Sequence, residues 1–283
     1  MIELVIPSRR RTLGGQAIGR VLPWTARRSV GPFVFLDHMG PAELAPGQRF
    51  DVPPHPHIGL STLTVLFEGS SVHRDSLGFV QPIRPGDINW MTAGRGIVHS
   101  ERTPPEAPGG TLHGLQLWVA LPREREDAEP SFQHHPAASL PVVSQAGARL
   151  SICCGSAYGA TSPVEVSAPL FFVDASLEEG ATLALPPEHA ERALYLVEGS
   201  LEVFGQSIEA RTMVVFGPGP APLRATTKAR AVMLGGAPLD GPRHMWWNFV
   251  SSSPEKIEQA KRDWHLGRFA AIPSDDQERT PLP

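Results

Sequence analysis

The sequence predicts an all-β protein with two domains of short antiparallel strands and one short helix near its C-terminus. The chain has 283 residues, too many for one small core and suited to two domains of roughly 100–150 residues each. Its 30 prolines and 27 glycines recur in short groups such as Pro85-Gly86 and Gly217-Pro218-Gly219-Pro220, which mark tight turns. Between these groups, polarity alternates with a period of two, which is typical of strands in a barrel or sandwich.

Composition and charge exclude several classes of protein. A net charge of −4 with 41% hydrophobic and 19% charged residues indicates an ordinary globular protein, so we expect no direct binding to nucleic acid or to anionic membrane. The longest apolar runs are shorter than a membrane span requires. The N-terminus has its charges after a very short apolar run, the wrong order for a secretory signal. Cys153 and Cys154 are adjacent and provide no disulfide framework, so we expect a reducing cytoplasm, and we take a monomer as the default.

Three segments show the strand pattern most clearly. In Leu60–Ser70, apolar residues recur at every second position, and the same is true of Leu112–Pro122. In the second half of the chain, Arg192–Gly205 repeats this style. Each segment is bounded by glycine or proline, so each is predicted to be a strand, or two strands joined by a turn.

An internal repeat indicates how the two domains arose. The pentapeptide LFEGS at Leu66–Ser70 matches LVEGS at Leu196–Ser200 in four of five places, at an offset of 130. Five residues alone are weak support, but together with the chain length they favour an ancient duplication. The polar, proline-bearing stretch 123–141 is the natural connector, so we predict domains of residues 1–130 and 131–283.

A helix is predicted late in the second domain. Ser253 is a good N-cap, Pro254 suits the first helical position, and Glu255 favours the positive end of the helix dipole. A narrow apolar stripe follows at helical spacing and ends near Gly267, so we expect a docking helix without chemistry of its own. The stripe consists of Ile257, Ala260 and Trp264.

The chemistry of the chain is predicted to lie in two short motifs of the first domain. His55 and His57 are one residue apart in PPHPHIG, and His99 and Glu101 are one residue apart in MTAGRGIVHSERT. Residues i and i+2 of a strand point to the same side, so each pair is able to aim two donors at one point. Either pair alone is more typical of a polar turn or a surface pair than of metal ligands; the two together, on β-patterned stretches of one domain, favour a metal site.

Three imidazoles and one carboxylate form a ligand set of intermediate softness. In an octahedral ion this set leaves two positions free for O2 or a chelating substrate, and iron(II), manganese, nickel and cobalt all accept it; zinc accepts it as a four-coordinate ion. We therefore predict one divalent metal ion per chain. His73 and His113 are secondary candidates; His113 is consistent either with a residue behind the ligands or with a core histidine.

Several motifs together resemble the pirin branch of the cupin superfamily. The resemblance is carried by GPFVFLDHMGP, PPHPHIG, HRDSLG, RPGDINWMTAGRGIVHSER, LHGLQLWV and HMWWNFVSSSPEKIEQAKRDW. It covers most of the chain, densely from about 31 to 122 and thinly in the middle of the second half.

This resemblance implies a bicupin, two antiparallel jelly-roll-like β-barrels with the metal in the N-terminal one. The family's HxH and HxE ligands match His55, His57, His99 and Glu101, and its metal is usually described as iron. Some members resemble quercetin 2,3-dioxygenases in activity, opening a flavonol ring with O2 and releasing carbon monoxide. Eukaryotic members act as redox-sensitive transcription cofactors, and bacterial members are described as binding metabolic enzymes.

Two features depart from the wider cupin pattern. A glutamate often follows HxH in cupins, whereas Leu60, Ser61 and Thr62 occupy that region here, so the carboxylate is expected from Glu101. At the repeat offset, His55 and His57 correspond to Leu185 and Pro187. The second barrel is therefore expected to be metal-free.

Two functions remain open on these observations. The first is a metal-dependent dioxygenase of the quercetinase type, acting on a small aromatic, flavonol-like substrate and O2, with Glu101 taking the substrate's hydroxyl proton. Phe50, Phe79, Trp90 and Met91 either line its pocket or belong to the core. The second is a metal-dependent redox sensor that binds a partner protein without turnover.

Overall fold

The computed structural model describes residues 1–13, 15–104, 106, 109–145, 147–273 and 275–283. Within them the chain forms mainly strands, with two single-turn 3₁₀ helices at Arg123–Arg125 and Ala137–Ser139 and one α-helix, α1, at Pro254–His265. The strands are β1 Ile2–Pro7, β2 Arg9–Leu13, β3 Gln16–Leu22, β4 Phe33–Leu44, β5 Val52–His57, β6 Leu60–Glu68, β7 Ser71–Asp75, β8 Val80–Ile83, β9 Ile88–Thr92, β10 Ile97–Arg102, β11 Gly110–Ala120, β12 Ser131–His135, β13 Val142–Gln145, β14 Ala148–Ala157, β15 Ala160–Thr161, β16 Leu170–Leu177, β17 Thr182–Ala184, β18 Glu191–Glu198, β19 Ser200–Val203, β20 Gln206–Glu209, β21 Thr212–Phe216, β22 Pro222–Ala225, β23 Ala229–Gly236, β24 His244–Trp246 and β25 Phe249–Ser251.

Each half of the chain supplies one large and one small antiparallel sheet. In the first half, the large sheet has the order β12-β9-β6-β11-β4-β3-β2 and the small one β5-β10-β7-β8. The second half supplies the corresponding orders β1-β21-β18-β23-β16-β14-β13 and β17-β22-β19-β20, except that the edge strand β1 comes from the N-terminus. The two sets match strand for strand, and this pair of sheets per half is the all-β, bicupin architecture that the sequence predicts.

The repeat that suggested a duplication falls at equivalent turns. β6 ends at Glu68 and β18 ends at Glu198. The glycine after each strand has a left-handed backbone, with φ of +83° at Gly69 and +81° at Gly199. Backbone atoms would lie 2.4–2.7 Å from a Cβ at either glycine. Both turns therefore require glycine for the same two reasons, its backbone freedom and its small size.

The N-terminal residues belong to the compact unit formed mainly by the second half of the chain, and the C-terminal residues belong to the other unit. One unit comprises Met1–Arg10, Gly19–His38 and Ala138–Pro238, and the other comprises Arg11–Ile18, Met39–Ala137 and Leu239–Pro283. This division differs from the predicted split into residues 1–130 and 131–283. The N-terminal strand β1 pairs with β21, and α1 packs against β25; such long-range pairings leave no mark in local sequence.

The predicted connector, residues 123–141, is largely structured. β12 lies within it and pairs with β9 over five residues, from Ser131↔Thr92 to His135↔Ile88. β12 holds the position in its sheet that β1 holds in the other. The polar composition of β12 kept the sequence pattern from identifying it as a strand, because an edge strand needs only one buried face.

Each unit has its own apolar core. In the unit containing Ala138–Pro238, the side chains on the strands that match β5 and β10, among them Leu183 and Leu223, are buried in a large aliphatic cluster with Leu185. Cys153 and Cys154 are buried free thiols in this unit, and burial raises the pKa of both. The apolar side chains at these positions are consistent with a metal-free second barrel, which stays a prediction.

The predicted helix is confirmed. The Ser253 side chain accepts the backbone N–H of Lys256, Pro254 is the first helical residue, and the buried face consists of Ile257, Ala260 and Trp264. In the part of the chain that the structure describes, no helix has the length and apolarity needed to cross a membrane.

Candidate metal centre

The two sequence motifs lie on neighbouring strands. β5 carries His55 and His57, β10 carries His99 and Glu101, and the strands pair antiparallel with His99 directly opposite His55. β7 pairs with the other edge of β10, with Asp75 opposite His99 and His73 opposite Glu101. Because side chains two apart share a face and directly paired residues point the same way, all of these side chains belong to one face of the small sheet.

The three histidines form a tight group. The ring centroids of His55 and His99 are 4.3 Å apart, and the ring of His57 lies 5.0 Å from each of the other two. One potential ligand atom from each ring lies within 4.8 Å of the others. Among the described residues, this is the group of histidine, cysteine or carboxylate donors placed to hold an ion. The structure thus brings together three of the four predicted ligands.

The rings are held neutral, as metal ligands must be. Burial lowers the pKa of His55 to about 4; the hydrogen bond to the carbonyl of Pro53 offsets this in part, and His73 adds to the lowering. Burial also holds the pKa of His57 and His99 well below the ordinary value, again reinforced by the other imidazoles. Near neutral pH, all three rings therefore carry one proton and one lone pair.

Hydrogen bonds fix which nitrogen carries the proton in two of these rings. Nδ1 of His55 donates to the carbonyl of Pro53 at 2.9 Å, and Nδ1 of His57 donates to the carbonyl of Asn248 at 3.0 Å. A carbonyl only accepts, so both rings present bare Nε2 atoms. Nε2 of His57 lies 3.1 Å from Nε2 of His99. Three neutral imidazoles that converge within 4.8 Å, two of them with a lone pair on Nε2, form a donor set that fits a divalent metal.

Glu101 stands apart from this group. Its carboxylate is not part of the 4.8 Å cluster, and the pairing of β5 with β10 shifts register between His99 and Glu101. The extra residue of this irregularity lies on β5, between Val52 and His55, whereas β10 keeps a regular pairing with β7 from His99 to Glu101. Thr64 Oγ1 lies 3.4 Å from Oε1 of Glu101 but 2.9 Å from Oε1 of Gln116, so its single hydrogen is shared unequally. Burial accordingly raises the pKa of Glu101 to about 7, and the hydrogen bond from Thr64 offsets this only in part.

Several residues of the site were not foreseen as such. Asn248, between β24 and β25, supplies the carbonyl that orients His57 from 191 positions along the chain, and no sequence pattern pointed to it. Trp118 packs edge-on against His57 at 5.1 Å. His73, a secondary candidate, faces His99 with the two Nδ1 atoms 3.4 Å apart, so it lies behind a predicted ligand. His113 instead packs against Phe67 in the core.

The residues proposed as a pocket lining have different positions. Trp90 and Met91 are almost completely buried, and Phe50 packs in an apolar cluster, so the core alternative describes these three. Phe79 is 45% exposed and contacts Phe132, whose ring stacks on His73.

Comparison with known proteins supports a relationship over the whole chain. Residues 15–119 match the Pirin family model, and residues 172–270 match the model of the Pirin C-terminal cupin domain. A pirin-like protein of Caulobacter vibrioides is 51% identical over the full length of both chains. A pirin-like protein of Solanum lycopersicum is 35% identical, covering 86% of each chain.

A solved structure also matches this chain over nearly its whole length. The crystal structure of quercetin 2,3-dioxygenase from Acinetobacter baumannii superimposes with a TM-score of 0.92 and 36% sequence identity, covering 99% of this chain and 94% of that one. With both cupin domains matched and the relatives aligned end to end, the chain belongs to the pirin family.

Proposed function

We propose that this protein is a metal-dependent dioxygenase that opens the ring of a flavonol-like substrate with O2, using one iron(II) ion held by His55, His57, His99 and Glu101. The observation that carries the proposal is the convergence of three buried imidazoles, with one potential ligand atom from each ring within 4.8 Å of the others. A structural zinc knot would be closed by thiolates, whereas both cysteines of this chain lie in the other unit.

The relatives support a flavonol as the substrate class. The similar solved structure is that of a protein named quercetin 2,3-dioxygenase, and it spans both cupin domains of this chain. The overall reaction would balance with O2 as the only oxidant: both of its atoms enter the acid product as two ring carbon–carbon bonds break, and one ring carbon leaves as carbon monoxide.

The chain's own residues supply orientation and a proton acceptor. A bound divalent metal would polarise and orient the substrate oxygens. Glu101 would accept the substrate's hydroxyl proton at a carboxylate oxygen, a role suited to a carboxylate with one shared hydroxyl donor. The carbonyls of Pro53 and Asn248 hold His55 and His57 in orientation, so the ligand rings need not reorganise during the reaction.

Oxygen uptake tests this proposal. Protein loaded with iron(II) under argon is mixed with quercetin, and O2 consumption and carbon monoxide release are followed together. We expect equal amounts of both from wild type, and a rate at least ~10²-fold lower from Glu101→Gln. Glu68→Gln, a change at a glutamate whose side chain is 56% exposed, is the matched control. A fully loaded wild type that consumes no O2 with quercetin or related flavonols would refute the enzyme proposal.

A redox-dependent regulator is a second candidate, and one observation favours it. Leu77, Phe79 and Val80 form an apolar surface, each 43–55% exposed. Phe79 contacts Phe132, which stacks on His73 beside the ligand His99. This route would connect the charge of the metal to a partner-binding surface. Hydrogen exchange of residues 76–80 in the iron(II) and iron(III) forms tests it, and equal exchange in both forms excludes the route.

A further inference from the structure

Among the described residues, no backbone carbonyl orients the imidazole of His99. His55 and His57 donate from Nδ1 to backbone carbonyls, whereas Nδ1 of His99 faces Nδ1 of His73 at 3.4 Å. An imidazole nitrogen either donates or accepts. The pair by itself therefore leaves open whether His99 carries its proton on Nδ1 or on Nε2, the atom that faces His57.

Asp75 removes this ambiguity. Its Oδ2 lies 2.9 Å from Nε2 of His73, and a carboxylate only accepts, so His73 carries its proton on Nε2 and has a bare Nδ1. That bare nitrogen can only accept from His99, which must then donate from Nδ1. The lone pair of His99 is thereby placed on Nε2.

The position of Asp75 is itself set by the backbone. Its other oxygen, Oδ1, accepts the backbone N–H of Leu77 at 2.9 Å and of Phe79 at 3.1 Å, in the turn between β7 and β8. Asp75 is fully buried. With Oδ1 occupied by two fixed amide donors, Oδ2 faces His73, and the carboxylate is both stabilised and prevented from turning.

The hydrogen-bonded chain from Asp75 through His73 to His99, the relay, is also shielded from solvent. His73 is 5% exposed, and the ring of Phe132 stacks on it with centroids 4.3 Å apart and an interplanar angle of 11°. Hydrogen bonds of low solvent exposure are stronger and more directional than those in water. The tautomer set at Asp75 is therefore passed through His73 to His99 by hydrogen bonds that are shielded from water.

We propose that Asp75 and His73 are positioning residues that act through His99, setting its tautomer so that Nε2 is free to bind a metal. This inference rests on the proposed metal centre and adds to it a hydrogen-bonded chain from carboxylate to ligand. A ligand histidine backed by such a carboxylate relay is both pre-oriented and a stronger donor.

Asp75→Asn reverses the relay with almost no change in shape. The amides of Leu77 and Phe79 require an acceptor, so Oδ1 of the asparagine stays with them and its NH₂ group faces His73. His73 must then accept at Nε2 and donate from Nδ1, and His99 must accept at Nδ1 and carry its proton on Nε2. The variant thus protonates the atom that is needed for the metal.

Two readouts test the proposal separately from activity. Nitrogen–proton correlation spectra of metal-free protein with ¹⁵N-labelled histidine report which nitrogen of His99 is protonated, with His99→Gln assigning the signal. Titration with nickel(II) reports affinity. We expect Nδ1-protonated His99 in wild type, Nε2-protonated His99 in Asp75→Asn, and an affinity for nickel 10–100-fold lower in that variant.

Controls separate the relay from a general loss of structure. Asp37→Asn is the matched change, because Asp37 is also buried and pairs with Arg20 in the other unit; it should leave the His99 tautomer and the nickel affinity unchanged. Asp75→Glu keeps a carboxylate and should restore the wild-type tautomer. If Asp75→Asn fails to fold, His73→Gln replaces it, since glutamine reaches Asp75 but presents no ring nitrogen to His99, and a mixture of His99 tautomers is expected.

The outcomes distinguish this inference from the metal proposal. An unchanged His99 tautomer in both Asp75→Asn and His73→Gln would overturn the relay, as would a nickel affinity no lower than that of Asp37→Asn. If the tautomer changes as expected but wild type binds no nickel, the relay is supported and the proposed metal centre fails.

Discussion

The stability of the metal-free protein should depend on the ionisation of Glu101. Burial raises the pKa of this carboxyl from 4.5 to about 7. A group whose pKa is higher in the folded than in the unfolded state contributes most stability below its unfolded value, here pH 4.5, and that stability is lost as pH rises through 7. A shift of this size corresponds to about 3 kcal/mol. Because the residue is partly exposed, solvent reduces the expected effect to about 1–3 kcal/mol.

Glu101→Gln removes this titration while keeping the shape of the side chain. We compare the free energy of unfolding of the metal-free variant with that of metal-free wild type. This difference should be about 1–3 kcal/mol more favourable to the variant at pH 8 than at pH 4.5. Urea unfolding of both proteins at the two pH values measures it; the histidines titrate alike in both, so their contribution cancels. With nickel(II) bound, the sign should reverse, because a metal stabilises the carboxylate that it contacts.

Two results would refute this reasoning. If the difference between variant and wild type is the same at both pH values, Glu101 does not experience the buried environment described here. If nickel stabilises wild type and Glu101→Gln equally, the carboxylate is not a ligand, and the site consists of the three histidines alone. Glu68→Gln, on an exposed glutamate, should show neither effect.

Three further predictions follow from the same structure. His57→Ala should reduce the metal content from one ion per chain to none, measured by elemental analysis of protein purified without a histidine tag; equal content in both proteins would mean that the histidines are not ligands. Ser253→Ala should lower the free energy of unfolding by about 1 kcal/mol through loss of the helix cap, and an unchanged urea midpoint would contradict this. Gly59→Ala should cost about 2 kcal/mol or more, because φ is +67° and a Cβ would lie 2.0 Å from the carbonyl oxygen of Val250. Gly47→Ala, with φ of +81° and open space around the Cβ, should cost less; equal losses in thermal unfolding would show that the close approach is unimportant.

Much of the architecture could be predicted from local patterns. Period-two alternation located β6, β11 and β18, because a strand exposes its two faces in turn to different surroundings. The helix was predicted with its cap and buried face because capping depends on residues within one turn. The same rule of alternation placed His55 with His57, and His99 with Glu101, on common sides of their strands.

Alternation did not, however, show what each face of a strand contacts. β6 is buried on both sides, and Thr64 on its polar side contacts Gln116 and lies close to Glu101. The polar face of β6 therefore lies beside the site. Periodicity records only that two faces differ in polarity, and a polar interior produces the same pattern as water.

The sequence by itself pointed to His55, His57 and His99, which the structure groups together, but tertiary structure decided how they are held. The order β5-β10-β7 brings His55, His99 and Asp75 onto neighbouring strands, and Asn248 reaches His57 across 191 positions. Likewise, β1 completes the sheet that contains β21, which no local pattern predicts. Residue type and short-range spacing are local properties, whereas strand order, hydrogen-bond anchors and tautomers depend on groups that only folding brings together.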